Sequence, residues 1–135
     1  MDSYYFLHVA PTSGVPIYRQ IMDQISTLVG SGRLASGRRL PSVRIVAEQL
    51  QINPMTVSKA YSLLEREGIL KHERGRGMRV ASRQPRGSLK QRRAEFIPLL
   101  EQVVAKAYQL GLSPSEVRKA LEPLLEVLEL EDQKK

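Results

Sequence analysis

Between Leu40 and Leu70 the apolar positions fall into two short helical stripes. Val43, Val46, Ala47 and Leu50 recur at intervals of three, one and three, and Ser42 before them is a good N-cap. Gln51-Ile52 breaks the pattern and reads as a turn. Asn53 then caps a second helix with Pro54 in its first position, where a missing N–H costs nothing. Val57, Ala60, Tyr61 and Leu64 form its inner stripe, and Gly68 supplies the stop. Its other face, Met55, Thr56, Ser58, Lys59 and Ser62, is short and carries a single charge. A solvated face would hold more Glu and Lys; this one suits base edges and phosphates.

After Gly68 the period changes. Ile69–Glu73 and Met78–Ala81 are strand-like runs flanking Arg74-Gly75-Arg76-Gly77, a hairpin tip with two glycines for positive φ and two arginines for charge. Upstream, Pro16 starts a scaffold helix with Ile17, Ile21, Ile25, Leu28 and Val29 on one face, widened by Tyr18 and Met22, ending near Gly30-Ser31-Gly32. Tyr4 to Val9 is aromatic and β-prone, a short strand or an extended arm. Arg38-Arg39-Leu40 reads as a short strand adding a third edge to the hairpin. The resulting fold class is mainly α with a small β-hairpin, a winged helix-turn-helix.

Residues 82–87 have linker composition, and two further helices follow. Ser88 and Gln91 form a capping box for the first, with Phe96, Leu100, Val103, Val104 and Ala107 on its apolar side and Pro98 expected to kink or divide it near Ile97. Gly111 stops it. Ser113-Pro114-Ser115-Glu116 caps the second, which presents Val117, Leu121, Leu124, Leu125 and Leu128 and is interrupted by Pro123. Two helices alone bury too little to be stable. They either fold back on their own chain or pair with the same helices of a second copy. More than one apolar line runs along each, which favours a homodimer. The expected organisation is a DNA-binding domain over 1–81, a linker over 82–87 and a dimerisation segment over 88–135.

Charge sharpens this division. The net +7 is uneven: residues 1–93 hold 16 Lys/Arg against 6 Asp/Glu, and residues 94–135 hold 5 against 8. A basic surface facing a polyanion and a tail with another task fit that asymmetry. There is no cysteine, hence no disulfide scaffold or thiolate metal site, and a reducing, cytoplasmic setting is expected. No stretch approaches a membrane span and no signal layout opens the chain, so no membrane partner is expected.

Pro16-Ile17-Tyr18-Arg19-Gln20-Ile21, Gly32-Arg33-Leu34, Gly37, Leu40-Pro41-Ser42-Val43-Arg44, Asn53-Pro54-Met55-Thr56-Val57, Lys59-Ala60-Tyr61, Leu64-Glu65-Arg66-Glu67-Gly68 and Arg74-Gly75-Arg76-Gly77 stand in ordered succession over about half the chain. That series resembles the DNA-binding domain of the GntR family of bacterial transcription regulators, and the short tail resembles its YtrA subfamily. The resemblance implies a dimeric repressor on a palindromic operator in double-stranded DNA, with a small effector altering dimer geometry. It also implies that Arg44 contacts the major groove, most naturally a guanine. Two departures leave the operator open: Gln51 stands where Gly is usual, and Met55 where polar residues are frequent.

The candidate DNA contacts are therefore Ser42 and Arg44 near the start of the first helix of the pair, Asn53, Met55, Thr56, Ser58 and Lys59 on the second, and Arg74, Gly75 and Arg76 at the wing tip, with Arg38 and Arg39 as phosphate contacts. The competing reading of Arg44 is an exposed side chain paired with Glu48, and of Lys59 a solvated lysine. Tyr61, Phe96 and Tyr108 are candidates for an effector pocket, although core packing explains them equally. No catalytic triad, metal-ligand spacing or phosphate-cradling loop appears, and His8 and His72 are far apart, so neither catalysis, a metal nor a cofactor is expected. The alternative class is an architectural DNA- or RNA-binding protein without sequence choice.

Overall fold

The elements run α1 (Ile17–Gly30), α2 (Val43–Leu50), α3 (Pro54–Arg66), β1 (Leu70–Glu73), β2 (Gly77–Val80), α4 (Leu89–Gln109) and α5 (Pro114–Gln133). The computed structural model describes residues 7–83 and 85–133, so Tyr4 to Phe6 of the strand or extended arm expected over Tyr4 to Val9 lie outside the described residues. The chain divides into two compact units, Met1–Gln84 and Pro85–Lys135.

In the first unit α3 packs against α1, α2 and β1. Its inner stripe of Val57, Ala60, Tyr61 and Leu64 meets Ile21, Met22, Ile25 and Leu28 of α1, and Val46 and Ala47 of α2, in one buried cluster with Leu34, Leu40, Leu70 and Val80. Each fully buried aliphatic side chain contributes roughly 1.5–3 kcal/mol relative to exposure. The hairpin pairs Leu70 with Val80 and Glu73 with Gly77. The expected third edge is a single bridge, Arg39 opposite Arg79, supported by Leu40 N donating to Met78 O (2.8 Å) and Val80 N to Arg38 O (2.9 Å).

The N-terminal segment attaches through side chains rather than as a strand. Gln24 accepts from His8 N (3.0 Å) and donates to His8 O, while Gln20 accepts from Ala10 N (2.8 Å) and donates to Ala10 O (3.0 Å) and Val15 O (2.8 Å). Two glutamines one turn apart on α1 thus satisfy backbone groups of His8, Ala10 and Val15. Leu7 is carried into the core by this attachment.

In the second unit α4 is one continuous helix through Pro98, and α5 continues through Pro123. Each proline removes one helical N–H, and Pro98 lies on an exposed stretch where water can serve the orphaned carbonyl. Division at Ile97 does not occur. Both expected caps form: Gln91 N donates to Ser88 Oγ (3.1 Å), and Ser113 N donates to Glu116 Oε1 (2.9 Å) while Glu116 N donates to Ser113 Oγ (3.1 Å).

The hydrogen bond from the Ser113 backbone, then the one involving its side chain, holds the Glu116 carboxyl below its ordinary value. A depressed folded value means the stabilisation is complete above the unfolded pKa and is lost as pH falls through the folded one. The Ser113 amide nitrogen shift is expected to titrate with a midpoint below that of an unstructured glutamate. An ordinary midpoint would mean that the box is open in solution.

Candidate nucleic-acid interface

The helix pair is held at both N-termini by the residues that the sequence marks as caps. Ser42 Oγ accepts from Ile45 N (3.2 Å) and Asn53 Oδ1 accepts from Met55 N (2.8 Å), so capping uses one lone pair of each oxygen and leaves the hydroxyl and amide donors for a duplex. The turn between the helices is made by Gln51 in the left-handed conformation (φ 57, ψ 51). From below, Tyr61 OH donates to Pro41 O (2.8 Å), tying α3 to the residue before the α2 cap. Burial pushes the Tyr61 phenol well above its ordinary value, so it is a donor throughout the working range.

Above this framework the face of α3 is open. Met55 is 77 % exposed, Ser58, Lys59 and Ser62 are exposed, and Thr56 is half-buried. Arg44, second residue of α2, is exposed, and among the described residues no ion pair joins it to Glu48. Beside it Ile45 is also exposed, an apolar group that the sequence pattern did not single out. Ile45 and Met55 give the surface two apolar contacts of the kind that meet a thymine methyl. A helix with its side chains is 10–12 Å across, the width of the major groove.

At the wing, Gly75 (φ 78) and Gly77 (φ 83) carry the tip, with Arg76 N donating to Glu73 O (2.9 Å). Arg74, Gly75 and Arg76 are all exposed. Register adds two residues that motif reading missed. Arg39, Arg79 and Lys71 stand opposite one another in adjacent chain segments and so form a cationic row on one face. Directly opposed like charges are destabilising in a sheet. Arg79 is offset by Glu73 (Nε to Oε2, 3.1 Å), whereas Arg39 and Lys71 are exposed at its flanks. The period-two alternation of the hairpin was the available signal. Arg38 is exposed on the same segment.

Lys59, an expected DNA contact with a solvated lysine as the competing reading, is exposed and rests against an aromatic ring. Its Nζ lies 4.0 Å from the centroid of the Tyr18 ring on α1, and Arg19 Cζ lies 5.8 Å from the same centroid.

The tail residues separate by exposure. Phe96, Val103, Val104, Leu124, Leu125 and Leu128 are exposed, and Leu100, Val117 and Leu121 are half-buried. Ala107, on the same stripe, is 8 % exposed in the single chain. Leu89, Ile97, Leu99, Leu110 and Leu112 add to the uncovered apolar surface. Tyr61 lines a cavity of about 10 Å³ with Leu7, Ile25, Leu28, Leu34, Leu40 and Pro41, room for about one water, and Tyr108 is 86 % exposed. Among the described residues no cluster of His, Cys, Asp or Glu could hold a metal, and no helix is long and apolar enough to cross a membrane.

Comparison with known proteins matches residues 17–80 to the family described as bacterial regulatory proteins, gntR family. The chain is 37% identical over 106 residues to the HTH-type transcriptional repressor YtrA of Bacillus subtilis (strain 168), covering 78% of this chain and 82% of that protein. In structure it is similar to YtrA from Sulfolobus acidocaldarius, a GntR-family transcription factor, with a TM-score of 0.56 and 29% identity over 89% of this chain and 97% of that one. It is similar also to the DNA-binding domain of AraR in complex with operator ORX1, with a TM-score of 0.50 and 27% identity over 56% and 93% of the two chains.

Proposed function

Because this chain belongs to the gntR family of bacterial regulatory proteins, we propose that it is a sequence-specific repressor that binds an inverted-repeat operator as a homodimer. It is a transcription regulator and not an enzyme. The observation that carries the proposal is the open, nearly uncharged face of α3 set between Arg44 and the cationic wing, since such a face has donors and methyl groups for base edges and cations beside it for phosphates. AraR held on its operator supports the same use of this unit, and the name of the Bacillus YtrA supports repression. The exposed leucines of α4 and α5 supply the second half of the proposal: a partner copy covers them, and two readers then meet matched half-sites. Duplex DNA as the ligand supports a cytoplasmic location. A small effector enters through the family resemblance alone, and no residue is assigned to it.

Selection from a random duplex pool tests this directly. The recovered sequences are expected to be inverted repeats with half-sites about one helical turn apart, preferred over unrelated duplex by ~10³ or more. Recovery without symmetry or preference would favour an architectural binder. Arg44→Ala is expected to cost about 1–3 kcal/mol in operator preference while leaving weak binding to unrelated DNA largely intact. Equal losses on both would reduce Arg44 to a phosphate contact.

A further inference from the structure

Tyr18 stands in the first turn of α1, a helix that the sequence assigns to scaffold. Its half-buried ring gathers two cations from different elements: Lys59 of α3 at 4.0 Å and Arg19 at 5.8 Å from the centroid. Among the described residues neither cation has a carboxylate partner, and Asp23, one turn beyond Arg19, forms no ion pair with it. Two positive charges converging on one ring repel each other, and a lysine on an exposed helix face ordinarily samples many rotamers. An aromatic face resolves the second point in a particular way: it holds the ammonium through its quadrupole but does not neutralise it. The charge stays available to a third group, and an anion is the group that both cations would attract.

We propose that Tyr18, Arg19 and Lys59 form a clamp for a duplex phosphate, with the Tyr18 ring as the positioning residue that sets Lys59 in place before DNA arrives. This rests on the proposed DNA-binding function and extends its surface to the start of α1. Lys59 on the reading helix and Arg19 on the scaffold helix then close on the backbone beside the groove that α3 enters. The ring aligns the first of them. Its face, not its hydroxyl, is the functional group.

Phosphate contacts are independent of sequence, so the test uses the full chain and a short labelled duplex of random sequence titrated at several salt concentrations. Lys59→Ala and Arg19→Ala are each expected to reduce the slope of log Kd against log salt, and the double variant by about 0.9, the share of the one phosphate they hold. Tyr18→Phe is expected to bind as the wild type, and Tyr18→Leu to bind about three- to fivefold more weakly. In the Lys59→Ala background Tyr18→Leu is expected to add nothing. A Tyr18→Leu protein that binds as the wild type would overturn the clamp, and so would the same loss in both backgrounds, which would mark Tyr18 as merely structural. A wild-type protein with no salt-dependent binding would instead overturn the DNA-binding reading beneath it.

Discussion

Replacing Leu64 with alanine is expected to destabilise the first unit by about 2–5 kcal/mol. Leu64 is fully buried on the one helix that touches α1, α2 and β1. Its cluster also holds buried residues of α1, α2 and β1, so the space left by its isobutyl group lies within a core that several elements share. Stability of a domain this size is commonly 5–15 kcal/mol, so the loss is a large share of the whole. Chemical denaturation measures it. Ser62→Ala, on the exposed face of the same helix, is the control and should stay within about 0.5 kcal/mol of wild type. A Leu64→Ala loss below about 1 kcal/mol would mean that the site collapses freely and the core is not shared as described.

Substituting Leu124 and Leu128 together with lysine is expected to convert a dimer into monomers in sedimentation equilibrium. Both side chains are exposed and stand one turn apart on α5, so charge there need not unfold the helix that bears them. Buried against a second copy, two ammonium groups per chain would lack partners. Linked readers gain from effective concentration, and losing the link is expected to weaken binding to the full inverted repeat by about 10²–10⁴-fold while half-site binding persists. An unchanged dimer would put the contact on another face, with the line through Phe96, Val103 and Val104 on α4 as the next place to look.

Local chemistry was the legible part of this chain. Ser42, Asn53, Ser88 and Ser113 act within three residues of themselves, so their capping roles can be read without knowing what the helices touch. The inner stripes of α1 and α3 were equally plain because the 3.6-residue period and burial coincide there. What escaped depends on contacts between distant segments. Gln20 and Gln24 look like surface residues until residues 8–15 are laid along α1. Tyr18 could be placed on a face by spacing, but its pairing with Lys59 is forty-one positions away in the chain. Ala107 shares its stripe with exposed neighbours, and periodicity marks a stripe without saying which of its members the chain itself covers. Lys71 and Arg79 needed the hairpin register and the bridge to Arg39 before they formed a row.

The turn at Gln51 bears on how such a reader changes its target. Gln51 is the one non-glycine residue with positive φ among the described residues, and its N–H and that of Ile52 are both returned to the end of α2, at Glu48 and Ala47. A left-handed non-glycine residue is held at a cost of about 1–3 kcal/mol only where its surroundings leave no alternative. The angle between the two helices therefore has little slack. A lineage of such proteins drifting toward new operators would exchange the side chains that α2 and α3 turn to the duplex more readily than it would swivel one rod against the other.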